Sequence, residues 1–333
     1  MSLLWLVNAG LLAIPIGSTV GVLRGIDAYR QTAGQTPLFT GGGGGSNGGG
    51  SGGNGGGIII SNNGTTKDNG TINTRYCQRE VSISPPTNGT PYTLNPNQWG
   101  WTQGEAGSLC MNITTFDNET YATSTTAPEF SVTWQYPPGS TAAPVHAFPN
   151  AQVNSSDIPI KLQSLKEINL DLHWTYGVGT KDVASTNMQT LTNNSVETNV
   201  AIDMFLDDDK TKSQSSSDAQ YEVMVWLAMI GASAQPIGLE NGVVSSQIVK
   251  NNTFNLYTGE NSLNQTVLTW VAANTTEIFS GDIAPLLTKL GALNTTFPSN
   301  STYLGYLSFG SEAFSSDVNV TFSVPKLSID VQS

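Results

Sequence analysis

The first candidate for chemistry is Glu222, which lies in an uninterrupted run of aromatic, β-branched and other apolar residues, Tyr221–Ala228. A run of this kind, free of Gly and Pro, predicts a β-strand. Strand side chains alternate between two faces, so Glu222, Met224 and Trp226 share one face and apolar residues fill the other. A carboxylate beside a thioether and an indole suits a sugar-binding surface. The simpler interpretation is an edge strand whose carboxylate is solvated.

A second glutamate has similar surroundings. The run Leu304–Phe309 predicts another strand, and the chain continues from it into Glu312. Paired carboxylates across a cleft are the usual means of cleaving a glycosidic bond. One protonates the leaving oxygen, and the other attacks the anomeric carbon or activates a water. The pair favours a glycosidase over two solvated strand residues.

Five segments, in order, are similar to those of glycoside hydrolase family 12, the small fungal and bacterial endoglucanases and xyloglucanases. They are Tyr92–Gly100, Phe130–Tyr136 with Val145–Asn150, Asn199–Phe205, Tyr221–Leu227 and Phe309–Phe314. Asn199–Phe205 resembles the family's Asn-Val-Ala-Tyr-Asp-x-Phe, and Phe309–Phe314 resembles its Phe-Gly-Thr-Glu-Pro-Phe. The resemblance covers roughly residues 76–333, and it depends on the order of all five segments.

The resemblance implies a role for three carboxyl groups. Glu222 matches the nucleophile, which attacks the anomeric carbon to form a covalent glycosyl-enzyme. Glu312 matches the acid/base, which must be protonated at working pH; partial burial and the negative charge of Glu222 would raise its pKa. Asp203 matches a third carboxylate that hydrogen-bonds the nucleophile.

Four further residues are candidates for contact with substrate. Met224 and Trp226 would line the cleft beside Glu222. Trp99 and Trp134 are candidates for stacking on glucose rings. Trp134 fits the core of a sandwich as well as it fits the cleft, and the sequence leaves both interpretations open.

Short β-type runs separated by clusters of Gly, Pro, Asn and Ser follow one another from residue 76 onward. Many strands at short spacing predict an all-β fold, an antiparallel β-sandwich of the jelly-roll type. One helix is predicted over residues 283–290, where Pro285 lies in the first turn and three leucines supply an apolar face. A jelly roll with one packed helix and an open substrate cleft is also what the resemblance implies.

The sequence contains two cysteines, Cys77 and Cys110. In a secreted protein an even pair is most simply one disulfide, whereas in a cytosolic protein two buried free thiols are the better interpretation. The resemblance also favours the bond. The cysteines and the two histidines show no metal-ligand spacing, so we expect no metal site and no cofactor.

The charge of the chain limits its partners. Only 11% of the residues are charged, and 25 acidic residues outnumber 13 basic ones. An acidic chain without a basic patch is a poor nucleic-acid binder. We expect a β-glucan polysaccharide as the partner, no nucleic acid, and a monomeric protein.

The N-terminal part of the chain differs from the rest. Residues 3–23 form an apolar run long enough to span a bilayer, and we interpret residues 1–30 as an export signal or signal-anchor. Residues 31–75, which include a run of Gly, Ser and Asn at 41–57, are interpreted as a flexible linker. Residues 76–333 would form the catalytic domain. The protein is expected outside the cell, either free or tethered to a membrane through residues 3–23.

The leading hypothesis is a secreted, retaining endo-β-1,4-glucanase acting on cellulose-type or mixed-linkage β-glucans, with Glu222 and Glu312 about 5–6 Å apart. A xyloglucan-specific enzyme of the same family is the first alternative, with the same catalysis and a cleft widened for xylose branches. A non-catalytic sugar-binding β-sandwich is an alternative from another class; it would keep Trp99 and Trp226 but has no need for both glutamates. A surface adhesin on a Gly-rich stalk is a third.

Overall fold

The protein folds as two stacked β-sheets. The structure, a computed structural model, describes residues 64–68, 70–116 and 121–333. Within those residues the strands are, in chain order, β1 (Gly64–Asp68), β2 (Thr71–Tyr76), β3 (Tyr92–Asn95), β4 (Ser108–Phe116), β5 (Glu129–Gln135), β6 (Asn150–Val153), β7 (Ile160–Lys161), β8 (Glu167–Val178), β9 (Glu197–Asp207), β10 (Tyr221–Ile230), β11 (Ser245–Val249), β12 (Asn252–Glu260), β13 (Thr266–Ala272), β14 (Ile278–Asp282), β15 (Tyr303–Gly310), β16 (Ala313–Ser315) and β17 (Val320–Gln332). Three short α-helices accompany them, α1 (Met188–Asn193), α2 (Ala284–Thr288) and α3 (Leu290–Leu293), together with 3-10 helical turns at Lys212–Gln214 and Leu239–Asn241.

The strands divide into a smaller and a larger sheet. The smaller sheet has seven strands in the order β1-β2-β4-β5-β17-β8-β14. The larger has ten: eight follow the order β11-β12-β13-β10-β9-β15-β6-β3, while β16 pairs with β9 and β7 pairs with β15. Among the described strands, every pair is antiparallel except β10 with β13, which run parallel. The predicted all-β sandwich is confirmed.

The core lies between the two sheets, because alternate side chains of each sheet point inward. On the larger sheet Ile202, Val225 and Phe309 are fully buried members of this core. Phe309 packs against Phe322 of the smaller sheet, with ring centroids 6.1 Å apart. Truncation of such a side chain to alanine costs about 3–5 kcal/mol of folding stability. The opposite face of the larger sheet is left outside this core.

The predicted packed helix is present as α2 followed at once by α3. Asp282 Oδ1 accepts hydrogen bonds from the backbone N–H groups of Ala284 and Ile168, both at 2.9 Å, which joins the start of α2 to β8. Leu286 is fully buried, and its carbonyl accepts a hydrogen bond from Trp270 Nε1 at 2.8 Å. The helical segment is therefore fixed to both sheets, through β8 of the smaller and β13 of the larger.

The linker prediction is wrong at its C-terminal end. Residues 31–75 are predicted to be a flexible linker, but β1 and β2 occupy the last part of that range. β2 pairs with β4 at the edge of the smaller sheet, and β1 pairs with β2. The alternating Ile72, Thr74 and Tyr76 supply the β-branched and aromatic residues that a strand favours. These strands lengthen the smaller sheet ahead of the predicted domain start.

The remaining predictions for the N-terminus fall on residues 1–30 and on the Gly-rich run at 41–57, which lie outside the described residues. The apolar run at 3–23 belongs to this part. Across the described ranges, no helix combines the length and hydropathy needed to span a membrane.

Cys77 and Cys110 form a disulfide, as predicted. The bond joins the segment after β2 to β4, where Cys110 is fully buried. The two cysteines are separated by 33 positions in the sequence. The bond therefore closes a long loop in the unfolded chain, and long loops lose the most entropy when they are cross-linked.

We expect the double substitution Cys77→Ser with Cys110→Ser to lower the free energy of unfolding by about 3–4 kcal/mol, the loop-closure value for this separation. Urea unfolding of the variant and of the unreduced protein measures the difference. Reduced wild-type protein serves as the control and should unfold at the midpoint of the variant. A variant as stable as the oxidised protein would contradict the prediction.

Candidate active site

Residues of three neighbouring strands share the outer face of the larger sheet. Glu222 and Met224 lie on β10, and the ladder to β9 places Asp203 opposite Met224. The ladder from β9 to β15 places Ser308 opposite Asp203. Because paired residues of neighbouring strands point to the same side of a sheet, these side chains converge on one surface. The intervening Val223 points inward and is fully buried in the core.

Glu312 reaches this surface from the short connection between β15 and β16. Its N–H donates to Asn199 Oδ1 at 2.9 Å, and Asn199 Nδ2 donates in return to Glu312 Oε2. The Thr198 hydroxyl also donates to Glu312 O at 2.6 Å. Asn199 is fully buried, whereas Glu312 keeps part of its surface accessible. The backbone and the carboxylate of Glu312 are thus both held by the start of β9.

Glu222 is likewise only partly buried. Its Oε2 atom accepts a hydrogen bond from Asn261 Nδ2 at 3.0 Å. Burial raises the pKa of Glu222 to about 7, and the Asn261 bond opposes that rise because it stabilises the ionised form.

The two glutamates influence each other's ionisation. Burial and then the negative charge of Glu222 raise the pKa of Glu312 to about 7, with the Asn199 bond acting in the opposite direction. Because the two groups interact, they titrate as a pair rather than independently. Near neutral pH such a pair can hold one proton between them, with one member charged and the other neutral. This is the protonation state that an acid and a nucleophile need together.

Asp203 lies on the same sheet face as Glu222 and is not a solvated strand residue. It is 3% exposed, and its Oδ1 atom has no hydrogen-bond partner among the described residues. Burial raises the pKa of Asp203 well above its usual value, and the charges of Glu222 and Glu312 raise it further. A neutral carboxyl is therefore expected here. The hydrogen bond to Glu222 that the resemblance implies is not made by Oδ1 in this structure.

Met224 and Trp226 lie beside Glu222 on the same strand face, but both are covered. They are 6% and 2% exposed, and Trp226 Nε1 donates to Met224 Sδ at 3.3 Å. They form a small apolar cluster on the outer face of the larger sheet with Phe148, Ala201, Val267, Val271 and the partly buried Tyr257. Stacking of Trp226 on a sugar ring would therefore require its neighbours to move. Its contact with substrate stays a prediction.

The two tryptophans predicted to stack on glucose have different environments. Trp99 is partly exposed and packs against Val145, Ala234 and Phe314, next to the segment that carries Glu312. Its Nε1 atom is buried and has no hydrogen-bond partner among the described residues.

Trp134 lies in the main core and is 1% exposed. Its Nε1 atom donates to Tyr176 Oη at 2.6 Å, and its ring stacks on Tyr136 with centroids 5.9 Å apart. The structure therefore corrects the stacking prediction for Trp134, because an indole enclosed between the sheets has no face to offer a sugar. Of the two interpretations that the sequence left open, core is the one observed.

Two asparagines were not assigned a role from the sequence. Asn199 is the first residue of the segment Asn199–Phe205, and its place in that motif is the sequence signal for its role. Asn261 follows β12 and stands 39 positions beyond Glu222. No local sequence pattern could have linked Asn261 to Glu222, because their contact forms only when β13 pairs with β10. In the described residues no group of three or more His, Cys, Asp or Glu side chains is placed to hold a metal ion.

Comparison with known proteins adds to this geometry. The family model described as glycosyl hydrolase family 12 matches residues 90–332. The chain belongs to this family. It is therefore a glycoside hydrolase, and the alternatives of a non-catalytic sugar-binding module and of a structural adhesin are set aside for this domain.

Curated relatives agree with this assignment. A probable xyloglucan-specific endo-beta-1,4-glucanase A of Aspergillus fumigatus is 31% identical over 258 residues, which are 78% of this chain and 92% of the relative. The xyloglucan-specific endo-beta-1,4-glucanase A of Emericella nidulans is 30% identical over 234 residues, which are 70% of this chain and 83% of the relative.

Solved structures have the same fold. Endoglucanase 3 of Trichoderma harzianum, from family GH12, has a TM-score of 0.60 and 22% identity, covering 78% of this chain and 97% of that chain. The family 12 xyloglucanase from Bacillus licheniformis has a TM-score of 0.56 and 16% identity, covering 78% of this chain and 99% of that chain. At these identities the likeness concerns the fold alone.

The raised pKa values predict that folding stability falls as pH rises. Protonated forms of Glu222 and Glu312 are favoured by the folded state, so their contribution is fully present below the ordinary value of 4.5 and is lost as pH rises through about 7. Urea unfolding at pH 4.5 and pH 8 measures the effect, and Glu222→Gln should weaken the pH dependence. The exposed Glu240→Gln, with the same change of charge, should not. If the free energy of unfolding of Glu222→Gln fell as steeply between pH 4.5 and pH 8 as that of the wild type, this account would be disproved.

Proposed function

We propose that this protein is an endo-β-1,4-glucanase that cleaves internal glycosidic bonds with retention of configuration. Glu222 is the nucleophile and Glu312 the acid/base. The observation that carries the proposal is the pair of partly exposed glutamates on one sheet face, both with pKa raised to about 7 and each bonded by an asparagine amide. Family membership supplies the reaction class, the resemblance of the segments around Glu222 and Glu312 to the family's motifs supplies the two roles, and this geometry supports the proposal.

In the first step, protonated Glu312 gives its proton to the glycosidic oxygen while the Glu222 carboxylate attacks the anomeric carbon. The bond from carbon to the leaving oxygen breaks as the bond from carbon to Glu222 forms. Asn199 donates to Oε2 of Glu312, which leaves Oε1 to carry the transferable proton. The product of this step is a covalent ester on Glu222 with the leaving chain released.

In the second step, Glu312 acts as a base. Esterification removes the negative charge of Glu222, and that charge is one of the causes that raise the pKa of Glu312. The pKa of Glu312 therefore falls in the intermediate, and the ionised group can take a proton from water as the water attacks the anomeric carbon. The Glu222 carboxylate is released and the original protonation states return. Neutral Asp203 adds no second negative charge to the site.

Linear β-glucan and xyloglucan are the two candidate substrates. The relatives at 30–31% identity are described as xyloglucan-specific endo-beta-1,4-glucanases, one of them as probable, which favours xyloglucan. A reducing-sugar assay on carboxymethylcellulose, mixed-linkage β-glucan and xyloglucan side by side separates them. We also propose an extracellular location, supported by the Cys77–Cys110 disulfide, since such bonds persist in oxidising compartments.

We expect Glu222→Gln to abolish turnover while oligosaccharide binding stays nearly intact, because the amide keeps the shape and loses the nucleophile. Hydrolysis is followed by reducing-sugar release, and binding by calorimetry with a short oligosaccharide. For the wild-type enzyme, NMR of the first product formed should show the β-anomer, the sign of retention. Near-wild-type hydrolysis by Glu222→Gln, or an α-anomer from the wild type, would overturn the assignment.

We expect Glu312→Gln to lower turnover of unactivated polysaccharide by about 10²–10⁴-fold, the contribution of a general acid. The first step with an aryl glycoside should lose much less, since a good leaving group needs no proton. The burst of released phenol measures that step. Equal losses on both kinds of substrate would place Glu312 outside the proton transfer.

A further inference from the structure

The turn between β12 and β13, residues 261–265, lies beside the proposed nucleophile. Glu222 on β10 pairs with Val267 on β13, so the start of β13 brings this turn against the Glu222 carboxylate. The contact is the 3.0 Å hydrogen bond from Asn261 Nδ2 to Glu222 Oε2. It engages one carboxylate oxygen and leaves Oε1 for attack on the substrate.

The orientation of the Asn261 amide is fixed by its own turn. Asn261 Oδ1 accepts the backbone N–H groups of Leu263 at 3.0 Å and of Gln265 at 3.1 Å. Two donors meet this atom, so it must be the amide oxygen, and the amide nitrogen must face Glu222. The side chain therefore presents a donor to the carboxylate and has no low-energy flipped alternative.

Gln265 connects this arrangement to the loop that precedes Glu222. Its Oε1 atom accepts a hydrogen bond from Asn261 Nδ2 at 2.8 Å, and its Nε2 atom donates to Ser216 O at 2.8 Å and to Ala219 O at 2.7 Å. Gln265 is 3% exposed, so these bonds are shielded from competing water. The nucleophile is thereby joined to the β12–β13 turn and, through it, to the loop between β9 and β10.

We propose that Asn261 is a positioning residue for Glu222, holding the carboxylate in one orientation and in its ionised form through the Nδ2 donor, with Gln265 holding Asn261 in turn. The inference rests on the proposed role of Glu222 as nucleophile. Asn261 acts through Glu222 rather than on the substrate.

The electrostatic surroundings of Glu222 make the role measurable. Among the described residues, the ionisable side chains on the same surface are Asp203 on β9, Tyr257 on β12, Tyr306 on β15 and Glu312 after β15. Asn261 is therefore a neutral donor among acidic groups. Its bond lowers the pKa of Glu222, against the rise caused by burial. Loss of the donor should therefore move the acidic limb of the pH profile of kcat/KM upward, since that limb reports the free nucleophile.

The decisive variant is Asn261→Asp, because aspartate keeps the oxygen that accepts the two turn N–H groups and loses the donor. We expect kcat to fall about 10–100-fold, the value of a charge-assisted hydrogen bond, with KM little changed. The acidic limb should move up by about one pH unit. Asn261→Ala should change both quantities in the same directions, which separates loss of the donor from the added charge.

Asn264→Gly is the matched control. Asn264 lies in the same turn, is exposed, and has φ +60°, which glycine adopts readily. It should leave kcat and the pH profile unchanged, and urea unfolding checks that every variant is folded. Wild-type kcat and an unshifted acidic limb in folded Asn261→Asp would overturn the positioning role. If Glu222→Gln also hydrolysed normally, the proposed function would fail as well; an inactive Glu222→Gln beside a wild-type-like Asn261→Asp removes only this inference.

Discussion

Three carboxyl groups meet at one face of the larger sheet, where burial favours the neutral form of each. Asp203, Glu222 and Glu312 interact electrostatically, and burial adds to the cost of each charge. The lowest-cost arrangement keeps Asp203 neutral and shares the remaining charge between the two glutamates. The amides of Asn199 and Asn261 each donate to one glutamate oxygen, and each bond opposes the rise in the pKa of that glutamate. The larger sheet and its connections hold these five side chains in place.

Three of these side chains, those of Asn199, Asp203 and Glu222, lie on inner strands of the larger sheet. β9 and β10 lie between β13 and β15, and each has hydrogen-bonded neighbours on both sides. Their inward faces are anchored in the core by fully buried residues such as Ile202 and Val225. The outward-facing residues are held in place as well, because they alternate with the anchored residues along the same backbone. Of the three carboxyl residues, only Glu312 stands outside a strand, and there hydrogen bonds from Thr198 and to Asn199 replace the strand pairing.

The strands and the two glutamates were predictable because their signals are local. Alternation around Glu222 separates a core face from a face that carries polar and aromatic side chains, without any tertiary information. The segment around Glu312 shows a strand that leads directly into a glutamate. The sequence could not decide whether Trp134 lies in the core or in the cleft, since both environments favour an indole in a strand. Asn261 could not be found at all, because its contact depends on pairing between distant strands. The Thr and Ile residues of β2 favour a strand, but the Gly-rich run that precedes them led to the prediction of a linker.

The parallel pairing of β10 with β13 has a consequence for how the enzyme is assembled. β9 and β10 pair antiparallel and are joined directly by the connection at residues 208–220. β13 can join β10 only after the chain has passed through β11 and β12, which closes a longer loop. The turn that bears Asn261 arrives with β13. The pairing that gives β10 its second neighbour therefore also brings the Asn261 donor to Glu222.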